Sequence, residues 1–226
     1  MGLVNSRSLG ATLDALNDAF FRGRRLAGAE RMNAAKWIAA RQGLPGSYSG
    51  MFAPTTRDFG HGVQFFTGDR LRSRGGTAHI LGEEACRALI LLDVPLAGVR
   101  DALARATDGI MKRVANVNEP RYGTYCCGKC SVAYWRHLAV GGLDEPERRL
   151  AAGMKVLKSR RDGEGKWRIF PFYYTLLALS EIDLASATKE MQYAAPVCER
   201  LLKRSSKGDK YGVRRRLLLE RILAKC

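Results

Sequence analysis

The chain has 226 residues, 46% apolar and 27% charged, a length and balance that suit a folded core and exclude wholesale disorder. Lys and Arg number 38 against 22 Asp and Glu, a formal +16 that favours an anionic partner: nucleic acid, a phosphorylated ligand or an acidic membrane surface. A solvated basic surface with no dedicated partner has the same composition, because net charge alone reports solubility and non-specific attraction.

At the N-terminus, Asp14 and Asp18 interrupt the segment where an export signal needs an apolar run. No stretch approaches the roughly 20 apolar residues of a membrane-spanning helix. The six cysteines are therefore expected as thiols in a reducing, cytoplasmic setting rather than as a disulfide frame. Leu9 to Phe21 has the pattern of an amphipathic helix that caps the first repeat unit.

Four later segments share one grammar: an apolar helix, a basic end, a glycine-bearing turn, an aromatic residue and a second apolar helix. Their turns read RQGLPGSY, KRVANVNEPRYGTY, KSRRDGEGKW and KRSSKGDKY, aligned on Tyr48, Tyr122, Trp167 and Tyr211. In the first helices, Trp37/Ile38, Ile110/Met111, Val156/Leu157 and Leu201/Leu202 fall at similar offsets, with Ala34, Ala106, Ala152/Gly153 and Val197 one turn earlier. In the second helices, Cys86, Val132 and Leu176 form one column, Leu89, Trp135 and Leu179 the next, and Leu92, Leu138 and Ile182 a third. A spacing of i, i+3, i+6 keeps these columns on one helical face. Ala85, Ser131 and Thr175 precede them as a small-residue column, and the last unit, with Arg216 in an apolar column, reads as a terminal capping repeat. Pro45, Pro95, Pro120, Pro146 and Pro171 fall between the apolar runs, and no segment reads as a strand.

The reading is one all-α domain over 1–226, with units near 30–94, 101–141, 147–184 and 190–226. The first unit carries an insertion, 49–79, whose glycines argue against regular helix through most of its length. It interleaves Phe59, Phe65 and Phe66 with Arg57, Arg70, Arg72 and Arg74, and adds His61 and His79. Aromatics stack on planar ligands and arginines fork onto phosphates. Phenylalanines that merely anchor the loop to the core explain the same pattern.

The turn GEGKW and the helix YYTLLALSEI resemble the repeats of the prenyltransferase and squalene-cyclase superfamily, over roughly Glu30 to the C-terminus. That resemblance implies helix pairs arranged as an α/α toroid around a central cavity. Four units are fewer than a closed ring of six pairs, which implies an open arc or a homo-oligomer. The superfamily's catalytic residues do not carry over. The chain has no Asp-x-Asp-Asp motif, and Gly128, Thr124 and Tyr125 stand two residues before Cys130, Cys126 and Cys127, where a prenyltransferase has its zinc-binding Asp.

YCCGKC places Cys127 and Cys130 at C-x-x-C spacing, with Cys126 beside them and His137 two turns on. Three readings are open: buried structural thiols, a metal site, or a reactive Cys130, which opens a helix, with His79 or His137 as base. No second ligand pair completes a structural zinc pattern, so no metal or cofactor is assigned. His137 between Trp135 and Leu138 reads as a packed histidine, and Glu83 and Glu84 as carboxylates at a helix start. No spaced carboxylate pair of the glycosidase type is present.

Cations close each first helix: Arg41, then Lys112 and Arg113, then Lys158, Arg160 and Arg161, then Lys203 and Arg204. They stabilise helix C-termini and, stacked by the repeat, also make a basic rim that Arg214, Arg215 and Arg216 extend. Two functions are consistent with these patterns. The first is an apolar or phosphorylated ligand on a concave face, contacted by Phe59, His61, Phe65, Arg70, Arg72, Arg74, Tyr125 and Trp167, with the insertion as a lid. The second is nucleic acid tracked by Lys112, Arg113, Arg160, Arg161, Lys203 and Arg204.

Overall fold

A computed structural model describes residues 2–71, 73–115, 122–204 and 208–226. The described chain is 63% helix with a single two-stranded ribbon, so the protein is all-α. No helix among the described residues is long and apolar enough to cross a membrane. The chain divides into two compact units: one formed by Met1–Phe65, Arg70–Val117 and Val140–Asp144, the other by Phe66–Asp69, Asn118–Ala139 and Glu145–Cys226.

The first unit contains α1 (Leu9–Phe21), α2 (Gly28–Ala39), α3 (Thr56–His61), the strands β1 (Val63–Gln64) and β2 (Arg70–Leu71), α4 (Arg74–Leu92) and α5 (Ala97–Val114). Both α1 and α2 pack on α4, and α5 packs on α2 and α4. Ser8 caps α1 by accepting from the Ala11 N–H, and its own hydroxyl donates to the buried Asp58, which also accepts from the Leu9 and Gly10 amides. Asp58 thus joins the start of α1 to α3.

The insertion is more regular than its glycines imply. It holds α3, an antiparallel ribbon pairing Val63 with Leu71, and the first turns of α4. Ser73 caps α4 by accepting from the Gly76 N–H at 3.1 Å, so the helix starts ahead of its two glycines. As a result Glu83 and Glu84 lie inside α4 and are buried, not at a helix start.

The second unit contains α6 (Gly128–Leu138), α7 (Pro146–Ser159), α8 (Phe172–Leu179), α9 (Ala185–Arg204) and α10 (Lys210–Leu223). α6 packs on α7 and α8; α9 packs on α7, α8 and α10; and α10 also packs on α8. Its core is a close approach of backbones. The Trp135 indole donates to the Gly123 carbonyl at 2.7 Å and stacks on Phe170 at 5.2 Å. A Cβ on Gly153 would come within 2.4 Å of Trp135 Nε1, and one on Gly123 within 2.0 Å of the Gly153 nitrogen. Glycine is required at both positions by space, not by backbone angle.

All three apolar columns, and the small column of Ala85, Ser131 and Thr175, are buried. After α2 the turn register differs from the expected one. The bridge after α7 joins Arg161 to Trp167, and the bridge after α2 joins Gln42 to Phe52. Buried Phe52, rather than Tyr48, therefore corresponds to Trp167. The turns at 116–121 and 205–207, including Pro120, lie outside the described residues.

Candidate functional site

In the second unit, the face of α9 carrying Ser186, Lys189, Glu190 and Tyr193 follows the i, i+3, i+4, i+7 spacing of one helical stripe. It lines a cleft of about 660 Å³ with Gln192, with Met154, Lys155 and Lys158 of α7, and with Arg161 in the turn after α7. That size suits a small ligand.

The turn is fixed before any ligand arrives. Asp162 accepts the amides of Glu164 and Lys166 at 2.8 and 3.0 Å, and the Tyr193 hydroxyl donates to it at 3.0 Å. Those amides, and then Tyr193, hold the Asp162 carboxyl below its ordinary range. The Gly163 amide donates to Tyr193 Oη at 2.9 Å. Arg161 lies 4.2 Å over the Tyr193 ring and forks onto Glu190, which is almost fully buried and also accepts from the Trp167 indole at 2.9 Å.

This geometry sets the charge of the cleft. Glu190 neutralises Arg161, so Lys155, Lys158 and Lys189, all exposed, supply the net positive charge. Ser186 lies in the first turn of α9, where the helix dipole adds positive potential. The arrangement attracts anions, and Ser186, Gln192 and Tyr193 supply hydrogen-bonding side chains.

The residues expected to bind ligand are distributed differently. In the first unit, Phe59 is half-buried with Arg74 4.3 Å over its ring, while His61, Arg70 and Arg74 are exposed and Phe65 is buried. Arg72 lies outside the described residues. In the second unit, Tyr125 is half-buried and Trp167 is buried, bracing Glu190 from behind the cleft. Phe66 is buried under Arg214, 4.3 Å from its ring.

Of the six cations expected to track nucleic acid, Arg161 alone lines the cleft. Lys112 and Arg113 are exposed at the end of α5, with Arg113 donating to Ser49 at 3.2 Å. Arg160 is exposed, as are Lys203 and Arg204 at the end of α9. Basic helix ends do not point to Lys155, Ser186, Lys189, Gln192 or Tyr193, although the stripe on α9 is readable in the sequence.

A second polar group, which the sequence does not announce, lies in the core of the first unit. His79 and Glu83 are paired at 3.2 Å, and Asn17 donates to Glu84 at 3.1 Å while accepting from Arg87 at 2.9 Å. The His79 ring stacks on Tyr48 at 4.5 Å. The group joins α1 to α4.

At the start of α6, Cys127 is the helix N-cap, and its sulfur accepts from the Cys130 amide at 3.5 Å. Cys126 and Cys127 are exposed and Cys130 is buried, so only Cys130 fits the description of a core thiol. Hydrogen bonding from Cys130 lowers the Cys127 thiol to about 5, against the opposing effect of burial. The same contact raises Cys130, and burial raises Cys126. His137 is buried within α6.

The chain matches no family model, no curated protein and no solved structure.

Proposed function

We propose that the protein binds a phosphorylated small molecule, of about mononucleotide size, in the α7/α9 cleft of its second unit. The carrying observation is the charge of that cleft: three lysines line it, while its one carboxylate is committed to Arg161. The reading needs no catalytic step. It narrows the ligand to an anion and moves the site from the insertion to the cleft.

The toroid-like repeat belongs to the same proposal. It is supported by successive packing of like helices within each unit: α2 with α5, α7 with α9, α6 with α8, and α8 with α10. The matching turn bridges at Gln42–Phe52 and Arg161–Trp167 support it too.

Nucleic acid is the second reading, favoured by the exposed cations outside the cleft. Lys203 lies about 21 Å along α9 from Lys189 at 1.5 Å per residue. A small ligand cannot bridge that distance; a polynucleotide can.

Backbone amide NMR on the full chain, titrated with pyrophosphate, ATP and a short single-stranded RNA, tests the proposal. Saturable shifts confined to Lys155, Lys158, Ser186, Lys189 and Tyr193 with ATP are expected. Shifts that appear only with RNA and extend to Lys203 and Arg204 would replace it with the second reading.

A further inference from the structure

Independently of the cleft, we infer that Cys127 and Cys130 are a reversible dithiol–disulfide pair that exchanges with an external disulfide, Cys127 attacking and Cys130 resolving. Three geometric facts carry this. Cys127 is exposed at the N-cap of α6 and Cys130 is buried one turn in, so an incoming disulfide reaches Cys127 and not its partner. The Cys130 amide donates to Cys127 Sγ at 3.5 Å, stabilising a thiolate at the positive end of the helix. Gly128 between them is fixed by packing, since a Cβ there would lie 2.1 Å from the Ile169 carbonyl oxygen. The backbone turn holding the two sulfurs is thus braced by the segment before α8. The low titration of Cys127 and the raised one of Cys130 agree with these roles.

The exchange balances with a disulfide RSSR as the oxidant. The Cys127 thiolate attacks one sulfur, the S–S bond breaks, and RS⁻ leaves and takes a proton. Cys130 then loses its proton to solvent and attacks Cys127 Sγ, expelling the second thiolate, which is protonated in turn. The products are the Cys127–Cys130 disulfide and two RSH; two electrons pass from the protein to RSSR. Cys126 is the competing attacking thiol, because it too is exposed and its sulfur lies within 4.8 Å of that of Cys130, the resolver.

The test uses the full chain in buffers of reduced and oxidised glutathione, with differential alkylation and peptide mapping. A Cys127–Cys130 disulfide that forms and reverses with the glutathione ratio is expected. C130S should accumulate glutathione on Cys127, C127S should accumulate none on the motif, and C126S should leave the Cys127–Cys130 pairing unchanged. Unmodified protein should also alkylate at Cys127 at least about tenfold faster than at Cys126 or Cys226, a readout that needs no variant to fold. Three results would each overturn the inference: equal trapping on Cys126 and Cys127, thiols that stay reduced at every glutathione ratio, or one zinc per chain that blocks alkylation and is lost in C127S.

Discussion

Arg161 forks onto Glu190 with hydrogen bonds of 2.8 and 3.0 Å, so the most conspicuous arginine of the basic turn is neutralised by a buried carboxylate. Glu190 depends on it in return, being buried with Arg161 and the Trp167 indole as its partners. Replacing Arg161 by Met leaves a buried carboxylate short of its charge partner and is expected to cost about 3 kcal/mol in urea unfolding. E190Q keeps an acceptor for Trp167 and leaves Arg161 able to turn to water, so its cost is expected near about 1 kcal/mol. Because E190Q also adds one net positive charge to the cleft, it should tighten ATP binding while R161M should not.

The Trp135–Gly123–Gly153 contact separates packing from hydrogen bonding. W135A is expected to destabilise by about 3–5 kcal/mol, as large aromatic deletions in cores do. W135F keeps most of the ring and loses the donor to the buried Gly123 carbonyl, at an expected cost of about 1–3 kcal/mol. G153A should exceed W135F, because its Cβ meets backbone as well as the indole. Denaturant midpoints for the three variants give the order directly.

The core is legible in the sequence and the candidate site only partly so, for a physical reason. Leu89, Trp135 and Leu179 share a column because burial repeats with the helix period, and apolar spacing reports burial. Polar residues report their partners poorly. Glu190 reads as one more surface carboxylate on α9 until the turn brings Arg161 and Trp167 to it. Glu83 and Glu84 read as a helix start because Gly75 and Gly76 conceal the true N-terminus, which Ser73 fixes more than two turns earlier. Tyr48 reads as the turn aromatic in place of Phe52 because only the bridge to Gln42 shows which ring closes the turn. The i, i+3, i+4, i+7 stripe of Ser186, Lys189, Glu190 and Tyr193 is present in the sequence. Clustered charge at helix ends is nevertheless the louder signal, and it outweighs charge spread along a helix face.

Cys127 gives a pH signature. Its folded thiol titrates near 5, well below its ordinary value of 9.0, so it is thiolate across neutral pH. Alkylation by iodoacetamide should therefore be nearly flat from neutral to mildly alkaline pH and fall only as the medium is acidified through about 5. The linked stability has the same sign: between the folded and unfolded values the unfolded state binds more protons, so this group's contribution is fully present above the unfolded pKa and lost as pH falls through the folded one. An alkylation rate that instead climbs through the ordinary thiol range would show that the Cys130 contacts do not hold a thiolate.

Affinity for ATP in the presence of charge-reversing substitutions tests the proposed cleft most directly. K155E/K189E should weaken binding at least about tenfold, an effect of about 1.4 kcal/mol, and flatten its salt dependence. K203E/R204E, at the far end of α9, should leave ATP binding unchanged. The opposite pattern, with the α9 end required and the cleft lysines dispensable, would contradict the account, as would ATP failing to bind the unmodified chain at low ionic strength.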